Sequence, residues 1–569
     1  MIKRFLCVIG LAIPTIVGAQ NPLWIPDTLS GLNFNLNVQP GTVQFYSGYN
    51  TPTYGINGNF LAPTLFLNKD DTVQLNVTNN LIFETTMHWH GFHIPPEFDG
   101  GPHQMIMPGE TWSPRFRVMN NAGTFWYHPH GSGTTELHVT KGLAGIIIIR
   151  DPVEAALPLP RTYAVDDFPL ILQSRCFDNL YQIAGFTHDD TVMMVNGTID
   201  PTLQVPAQMV RFRVLNGSVD RSYLLGLSND SNFYQIATDG GLMETPNDTN
   251  RLMLSPGERT EIVVNLSGLQ GQTIYLMSYA SELPNGIMGS ATVQQGAATL
   301  PGYTSNFLNG NDFVLLELNV IAATASPIIT LPGFLAPYSP IPEGTENTTR
   351  SFVFAPETIG DMEMIEGPFT INGSSFAMDS VNVVTYLNHT EIWDITNTTA
   401  VAHPFHIHDI QFYILDRNGL PISDNERGQK DVVLVKPSES VRIITKFEDF
   451  HNAAIPYMYH CHLLHHEDEG MMGSFIVLDS ASLDVEETLD LNHLKIYPNP
   501  AYENVFVQYD NDDLVGSSWV VTNITGQVIF TKLIQNACEE IAVSNFAKGI
   551  YFINIAGVKG FITKKIIIQ

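Results

Sequence analysis

The stretch Thr72-Val73-Gln74-Leu75-Asn76-Val77 alternates polar with apolar residues and runs into an Asn-rich turn; the same unit returns as Val210-Arg211-Phe212-Arg213-Val214 and as Glu391-Ile392-Trp393-Asp394-Ile395. Alternation with a period of two marks a strand that turns one face to a core. Each copy next reaches a tight turn leading into another alternating strand: Pro108-Gly109-Glu110, Pro256-Gly257-Glu258 or Pro437-Ser438-Glu439. Each closes on a glycine-bounded segment read as running into an apolar or β-branched strand: Gly142-Leu143-Ala144-Gly145, Gly286-Ile287-Met288-Gly289 and Gly470-Met471-Met472-Gly473. No long stretch has a 3.6-residue period, and short strands punctuated by Gly, Pro, Asn and Asp dominate. The expected fold is therefore all-β, with three consecutive Greek-key β-sandwiches over residues 20–155, 156–297 and 298–482. The Thr-, Gly- and Asn-rich stretch from Gly296 to Gly310 reads as the link between the second and third.

Composition narrows the function. With 569 residues, 44% hydrophobic and 15% charged, the chain can bury several cores and is too apolar for disorder. A formal charge of −30, from 27 basic and 57 acidic residues, repels a phosphate backbone and excludes nucleic acid as a partner. Residues 1–19 carry Lys3 and Arg4, an apolar run from Phe5 to Ile13 and small residues at Gly18-Ala19, which reads as a secretory signal peptide. The mature protein is expected to be secreted or at the cell surface, or else periplasmic. Crossing a bilayer takes roughly 18–20 apolar residues, and the longest later run, Leu143–Ile149, has only strand length, so no transmembrane segment is expected. Of the four cysteines, Cys7 lies in the signal; Cys176, Cys461 and Cys538 are too few for a disulfide scaffold. An odd cysteine needs another role.

The tail, residues 490–569, reads as a small separate β-sandwich. Its opening Leu494-Lys495-Ile496-Tyr497-Pro498-Asn499-Pro500, the Thr525-Gly526-Gln527 turn and the Gly549-Ile550-Tyr551 strand resemble the C-terminal sorting domain of the bacterial type IX secretion system. That resemblance implies export across an outer membrane, with the secretion machinery as a partner and commonly with removal of the tail. An ordinary carbohydrate- or surface-binding sandwich is the other reading.

The histidines carry the chemistry. Eighteen of them placed at random would give roughly half an instance of the i, i+2 spacing. The chain has four: His88/His90, His128/His130, His406/His408 and His460/His462. Residues i and i+2 of an extended segment share a face, so each pair presents two imidazoles side by side. Isolated core histidines explain one such pair and not four. Two pairs fall in the first copy, two in the third and none in the second, so eight imidazoles can converge only between copies one and three, leaving the second as a spacer.

Around the fourth pair runs His460-Cys461-His462-Leu463-Leu464-His465-His466, followed by Met471. Cys461 must point away from the side its two neighbours occupy. On its side, Cys461, His466 and His403 make a His₂Cys set with Met471 as a weak axial thioether, a combination that selects electron-transferring blue copper. At the positions of His403, Cys461 and Met471 the first copy has Thr85, Pro129 and Leu143, so only the third copy can build this site. On the other side, eight neutral imidazoles suit a cluster of three coppers, each ring donating its second N–H to an acceptor that fixes its tautomer.

Met87-His88-Trp89-His90-Gly91, Trp126-Tyr127-His128-Pro129-His130-Gly131, His403-Pro404-Phe405-His406-Ile407-His408 and the His-Cys-His run through Met471 are similar to the four copper motifs of the three-domain multicopper oxidases, over roughly residues 22–480. The resemblance implies cupredoxin-like domains and four copper ions. Type-1 copper would be held by His403, Cys461, His466 and Met471, and type-2 by His88 and His406. The type-3 pair would be held by His90, His128, His130, His408, His460 and His462. It also implies a laccase-like oxidase that takes single electrons from a small-molecule or metal-ion donor (a phenol, another organic reductant or cuprous ion) and reduces dioxygen to water. Cys461 would be the wire, since its backbone continues directly into His460 and His462. Forming water consumes protons, and Asp99 and Glu467 match acidic positions this family uses near the cluster. His93, His103, His138, His451 and His465 read as neighbours of ligands or as solvent-facing; Met362, Met364 and Met378 read as core fillers rather than a port for Cu(I). The alternative function is a non-enzymatic scaffold or a copper-binding, copper-tolerance protein on the same fold. A scaffold would be expected to have lost ligands, and none is missing.

Overall fold

The computed structural model describes residues 21–184, 190–295, 298–303, 306–358, 365–479, 494–509, 518–523, 528–557 and 560–569. The signal segment, Gly296, Met362 and Met364 lie outside the described residues. The regular structure of the described residues is almost entirely strand, arranged as three β-sandwiches followed by a smaller one.

In the first sandwich, Asn33–Tyr46, Thr72–Asn79 and their neighbours form one sheet. The other runs in the order Thr28–Ser30, Thr64–Asn68, Gly145–Arg150, Gly123–His128 and His88–His90. The alternation of Thr72–Asn79 is realised as expected, with Val73, Leu75 and Val77 buried between the sheets. The third sandwich repeats the plan. Phe369–Ile371, Thr348–Pro356, Thr390–Asn397, Ser440–Lys446 and Tyr413–Arg417 form one sheet; Val383–Tyr386, Met472–Leu478, Asn452–Cys461, His403–Ile407 and Val432–Val435 form the other.

The middle sandwich departs from the expected boundaries. In the first and third copies the glycine-bounded segment feeds at once into a closing strand, Gly145–Arg150 or Met472–Leu478, parallel to an earlier strand of its own sheet. After Gly286–Gly289 the chain makes an excursion first, and the closing strand is Asp312–Ile321, parallel to Pro201–Pro206 and antiparallel to Thr273–Tyr279. Residues 312–321 therefore belong to the second sandwich, not to a third one starting at 298. The excursion is not the link between domains either: Met288, Val293, Leu300 and Tyr303 bury themselves in the core of the third sandwich alongside Phe352 and Phe369. The terminal unit pairs a three-stranded sheet with a four-stranded one around its own core, which includes Trp519, Ile553 and Ile566.

Candidate metal centres

Two short strands at corresponding places carry the first of the histidines. His88–His90 pairs antiparallel with Gly123–His128 so that His88 faces His128, and His403–Ile407 pairs with Asn452–Cys461 so that His406 faces His460. The first and third sandwiches meet on these edges. Tyr457 donates its hydroxyl hydrogen to the Ile94 carbonyl at 2.6 Å, and the Asp468 carboxylate accepts the backbone N–H groups of Thr135 and Glu136 at 3.0 and 2.9 Å. The docking gathers eight imidazoles from four separate stretches into one buried cavity, with none of them more than 1% exposed.

Hydrogen bonding decides which nitrogen each ring turns inward. A carbonyl oxygen can only accept, so a ring nitrogen beside one carries the hydrogen and leaves the other nitrogen with a free lone pair. His88, His128, His406 and His460 each donate from Nδ1 in this way, to the carbonyls of Asp99, Pro129, Asp431 and Cys461 at 2.9, 2.8, 2.7 and 3.0 Å. His408 donates from Nδ1 to the Asp99 carboxylate at 2.7 Å. His90 is reversed: its Nε2 lies 3.2 Å from Asp431 Oδ1 and its Nδ1 faces the cavity. The inward atoms His88 Nε2, His90 Nδ1, His128 Nε2, His406 Nε2 and both nitrogens of His462 have no hydrogen-bond partner among the described residues.

One trio tests whether a metal fits. The Nε2 atoms of His130, His408 and His460 lie 3.1, 3.2 and 3.3 Å apart. Their Nδ1 atoms face Glu467, Asp99 and the Cys461 carbonyl with Glu467, so these three Nε2 atoms point lone pairs at one another. Neutral imidazoles in this tautomer cannot hydrogen-bond together; a cation between them removes the repulsion. Nitrogens at tetrahedral angles around an ion with bonds of about 2.0 Å would be about 3.3 Å apart, which the trio matches. Burial holds His90, His128, His406 and His408 well below the usual imidazole range, and pulls His130 and His462 down to about 3, so all six are neutral donors at physiological pH.

On the opposite side of the His460–His462 strand end, Cys461 Sγ lies 3.4 Å from His403 Nδ1 and 3.8 Å from His466 Nδ1. The outer nitrogens are occupied: His403 Nε2 by the Thr399 hydroxyl at 2.8 Å and His466 Nε2 by the Ile365 carbonyl at 2.8 Å. Burial pushes the Cys461 thiol up, so without a cation it stays protonated. Met471 is fully buried in the same core, and the Cys461 N–H donates to its carbonyl at 3.0 Å.

Both carboxylates singled out in the sequence touch ligand candidates. Asp99 ends the short turn Pro96–Phe98 and holds His88 through its carbonyl and His408 through its side chain. Glu467, on the helix Leu464–Asp468, places Oε1 3.4 Å from His130 Nδ1 and Oε2 3.1 Å from His460 Nδ1. Burial alone would raise its carboxyl, but the surrounding imidazoles of His130 and His460 outweigh that and hold it well below the usual range.

Three residues escaped sequence reasoning. Asp431 stands just ahead of the strand Val432–Val435 and serves both His90 and His406. Arg259 and Gly257 of the middle sandwich reach the cavity, so that domain is no mere spacer: Arg259 grips Asp431, and a Cβ on Gly257 would lie 2.8 Å from the His462 ring. The Pro256-Gly257-Glu258 turn was visible in the sequence, but nothing local says what it packs against.

The remaining histidines divide. His93 bridges Asp409 and Asp449, His451 is exposed, His465 pairs with Glu469 at 3.5 Å, and His103 lies 3.0 Å from the Met378 carbonyl. His138 is neither a neighbour of the cavity ligands nor solvent-facing; it is buried and stacked on Phe83, 3.4 Å from the Thr85 hydroxyl. Aligning Gly142-Leu143 on Gly470-Met471 puts His138 in the place of His466, and the backbone agrees: Leu143 N–H donates to His138 as Met471 N–H donates to His466. The first sandwich thus keeps one imidazole of a thiolate site whose other places are Thr85, Pro129 and Leu143.

With this geometry in hand, comparison with known proteins is direct. The family profile "Multicopper oxidase" matches three stretches, residues 37–154, 181–300 and 343–481, and "Secretion system C-terminal sorting domain" matches 495–569. Multicopper oxidase mco of Staphylococcus aureus is 32% identical over 455 residues, 78% of this chain and 88% of that protein. Cell division protein FtsP of Pectobacterium atrosepticum is 31% identical over 472 residues, 80% and 93% of the two. Among solved structures, the laccase-like multicopper oxidase CueO from Ochrobactrum sp. superposes with a TM-score of 0.71 at 31% identity, over 80% of this chain and 100% of that one. McoA from Aquifex aeolicus gives 0.70 at 30% identity, over 81% and 100%. The chain belongs to the multicopper oxidase family, and its enzyme class is that of an oxidase.

Proposed function

We propose that the protein is an exported oxidase that takes electrons singly from small reductants, phenols and other organic donors or cuprous ion, and reduces dioxygen to water with four coppers. Four donors each lose one electron, and dioxygen takes up four electrons and four protons to give two waters. His403, Cys461 and His466, with Met471 as a weak axial ligand, would hold the type-1 ion; His88 and His406 the type-2 ion; His90, His128 and His462, and His130, His408 and His460, the type-3 pair. When bound, copper supplies one-electron storage at each site and a place for dioxygen at the cluster.

The observation that carries this reading is the trio of lone pairs on His130, His408 and His460, held face to face by Asp99, Glu467 and the Cys461 carbonyl. The remaining roles belong to the chain itself. Cys461 offers a covalent path into His460 and His462. Neither the His403 nor the His466 ring is more than 1% exposed, so a donor would pass its electron to the thiolate site without touching these rings. Asp99 and Glu467 are the carboxylates able to hand on protons at the cavity wall. Export through the outer-membrane machinery rests on the sorting-domain match.

The relatives named cell division protein FtsP support a second reading, a role in cell division on the same fold. One experiment decides. Copper-loaded protein should bind four ions per chain, show an intense absorption in the red, and take up oxygen with a phenol or with Cu(I). Colourless protein after loading, or blue protein with no oxygen uptake on any donor, overturns the oxidase reading.

A further inference from the structure

Among the described residues the middle sandwich contributes no histidine to the cavity, yet one of its side chains stands where all three sandwiches meet. Arg259 is fully buried and each of its five N–H donors is engaged. Nε donates to the Thr124 carbonyl of the first sandwich at 3.2 Å. One terminal nitrogen donates to the Gly257 carbonyl at 3.2 Å and to Asp431 Oδ1 at 2.5 Å; the other donates to the Asp239 carbonyl at 3.0 Å and to Asp431 Oδ2 at 2.6 Å. Asp431, from the third sandwich, faces His90 with its side chain and His406 with its carbonyl, and those two rings stack at 3.7 Å.

We infer that Arg259 is a positioning residue for the copper cluster: by clamping both oxygens of Asp431 it fixes the ring orientations of His90 and His406, so that the middle domain takes part in assembling the site. The inference rests on the copper reading above. A bidentate guanidinium–carboxylate pair fixes the plane of the carboxylate as well as its position, which a single ammonium contact cannot do. The acceptor plane in turn decides which His90 nitrogen turns inward, and among the cavity rings anchored by a hydrogen bond or a carboxylate through one nitrogen, His90 is the one that presents Nδ1.

Two further features belong to the clamp. Asp239 accepts the Arg259 backbone N–H at 2.7 Å and the Lys430 ammonium at 2.8 Å, and Lys430 also reaches Glu258 at 2.8 Å. Adjacent charges of the third sandwich, Lys430 and Asp431, are therefore each met by an opposite charge of the second. At Gly91, where φ is +84°, a Cβ would lie 2.4 Å from Asp431 Oδ2 and 2.7 Å from the guanidinium. The backbone of the His88–Gly91 motif leaves room for the pair.

The test uses the full copper-loaded chain. Removing one member of a buried pair strands the other charge and endangers folding, so the first variant carries Arg259→Met together with Asp431→Asn, which removes both charges. The expected result is a folded protein with undiminished type-1 absorption in which the ion held by His90 binds about 10–100-fold more weakly, read by chelator competition and by loss of the type-3 near-ultraviolet absorption, with the type-2 EPR signal altered through the neighbouring His406. The second variant, Arg259→Lys, keeps the charge and loses the fork; it is expected to shift the type-2 hyperfine pattern and weaken binding of the ion held by His90. Wild-type copper affinity and an unchanged type-2 spectrum in either variant overturn the inference. A wild-type protein that shows no type-1 or type-2 signature after loading overturns the copper reading itself.

Discussion

Each imidazole around the central cavity is tied by one nitrogen, and the nature of its acceptor decides what the other nitrogen can do. Backbone carbonyls hold His88, His128, His406 and His460, a choice that no side-chain substitution can directly remove. Carboxylates hold His90 and His408, and Glu467 backs both His130 and His460. Glu467 is thus the residue whose charge can be changed while the carbonyl anchor of His460 persists. Glu467→Gln keeps the shape and removes the proton-accepting oxygen. Oxygen reduction is expected to slow by about a hundredfold, the usual worth of a positioned acid or base, while the absorption from the Cys461 site stays intact. Wild-type turnover in this variant would remove Glu467 from the proton path.

At the scale of single elements, alternation is readable in the sequence but its meaning changes with what covers each face. Thr72–Asn79 behaves as a two-faced strand, with buried positions alternating with half-buried or exposed ones. Met209–Asn216 carries the same pattern in sequence, yet all eight of its residues are buried. Arg213 turns toward the first sandwich, pairs with Asp167 at 2.8 Å and Glu261 at 2.6 Å, and meets the Thr124 hydroxyl at 3.1 Å. A face that looks solvated is a domain interface, because charges can be buried when their partners arrive from another strand. The Pro256-Gly257-Glu258 turn is a second case. Gly257 has φ of +83° and lies against the His462 ring. Gly257→Ala is expected to cost about 1–2 kcal/mol for the left-handed backbone alone. It should also displace His462, lowering the melting temperature by a few degrees and the cluster copper content while leaving the thiolate absorption. Full copper occupancy with unaltered melting would show that the turn does not shape the cavity.

Across the whole molecule, the first and third sandwiches are also joined near the cavity by His93, whose Nδ1 is 2.9 Å from Asp409 and whose Nε2 is 3.1 Å from Asp449. Burial opposes charge on this ring, but Asp409 and Asp449 outweigh it and raise the imidazole to about 9. Because the folded value lies above the unfolded one of about 6.5, the bridge contributes fully below pH 6.5 and its contribution fades as the pH rises through 9. Its worth is about 3 kcal/mol at most. Denaturant melts at pH 6 and pH 9.5 are therefore expected to show a larger loss of stability in the wild type than in His93→Gln, and equal losses would dismiss the bridge.

The sequence by itself determined the threefold repeat, the all-β class and the four histidine pairs with Cys461 between the members of the last, because spacing along an extended chain dictates which side chains share a face; Asp99 and Glu467 were legible only through the resemblance of their positions to a known family. Tertiary structure alone decided the rest: that Asp312–Ile321 closes the middle sandwich, that Asp431, gripped by Arg259, meets two of the rings, that His90 turns its Nδ1 inward, and that His138 stands in the first core at the place His466 takes in the third. Each of these depends on a partner far away in the chain. Local periodicity records the direction a side chain takes and carries no record of the surface that docks against it.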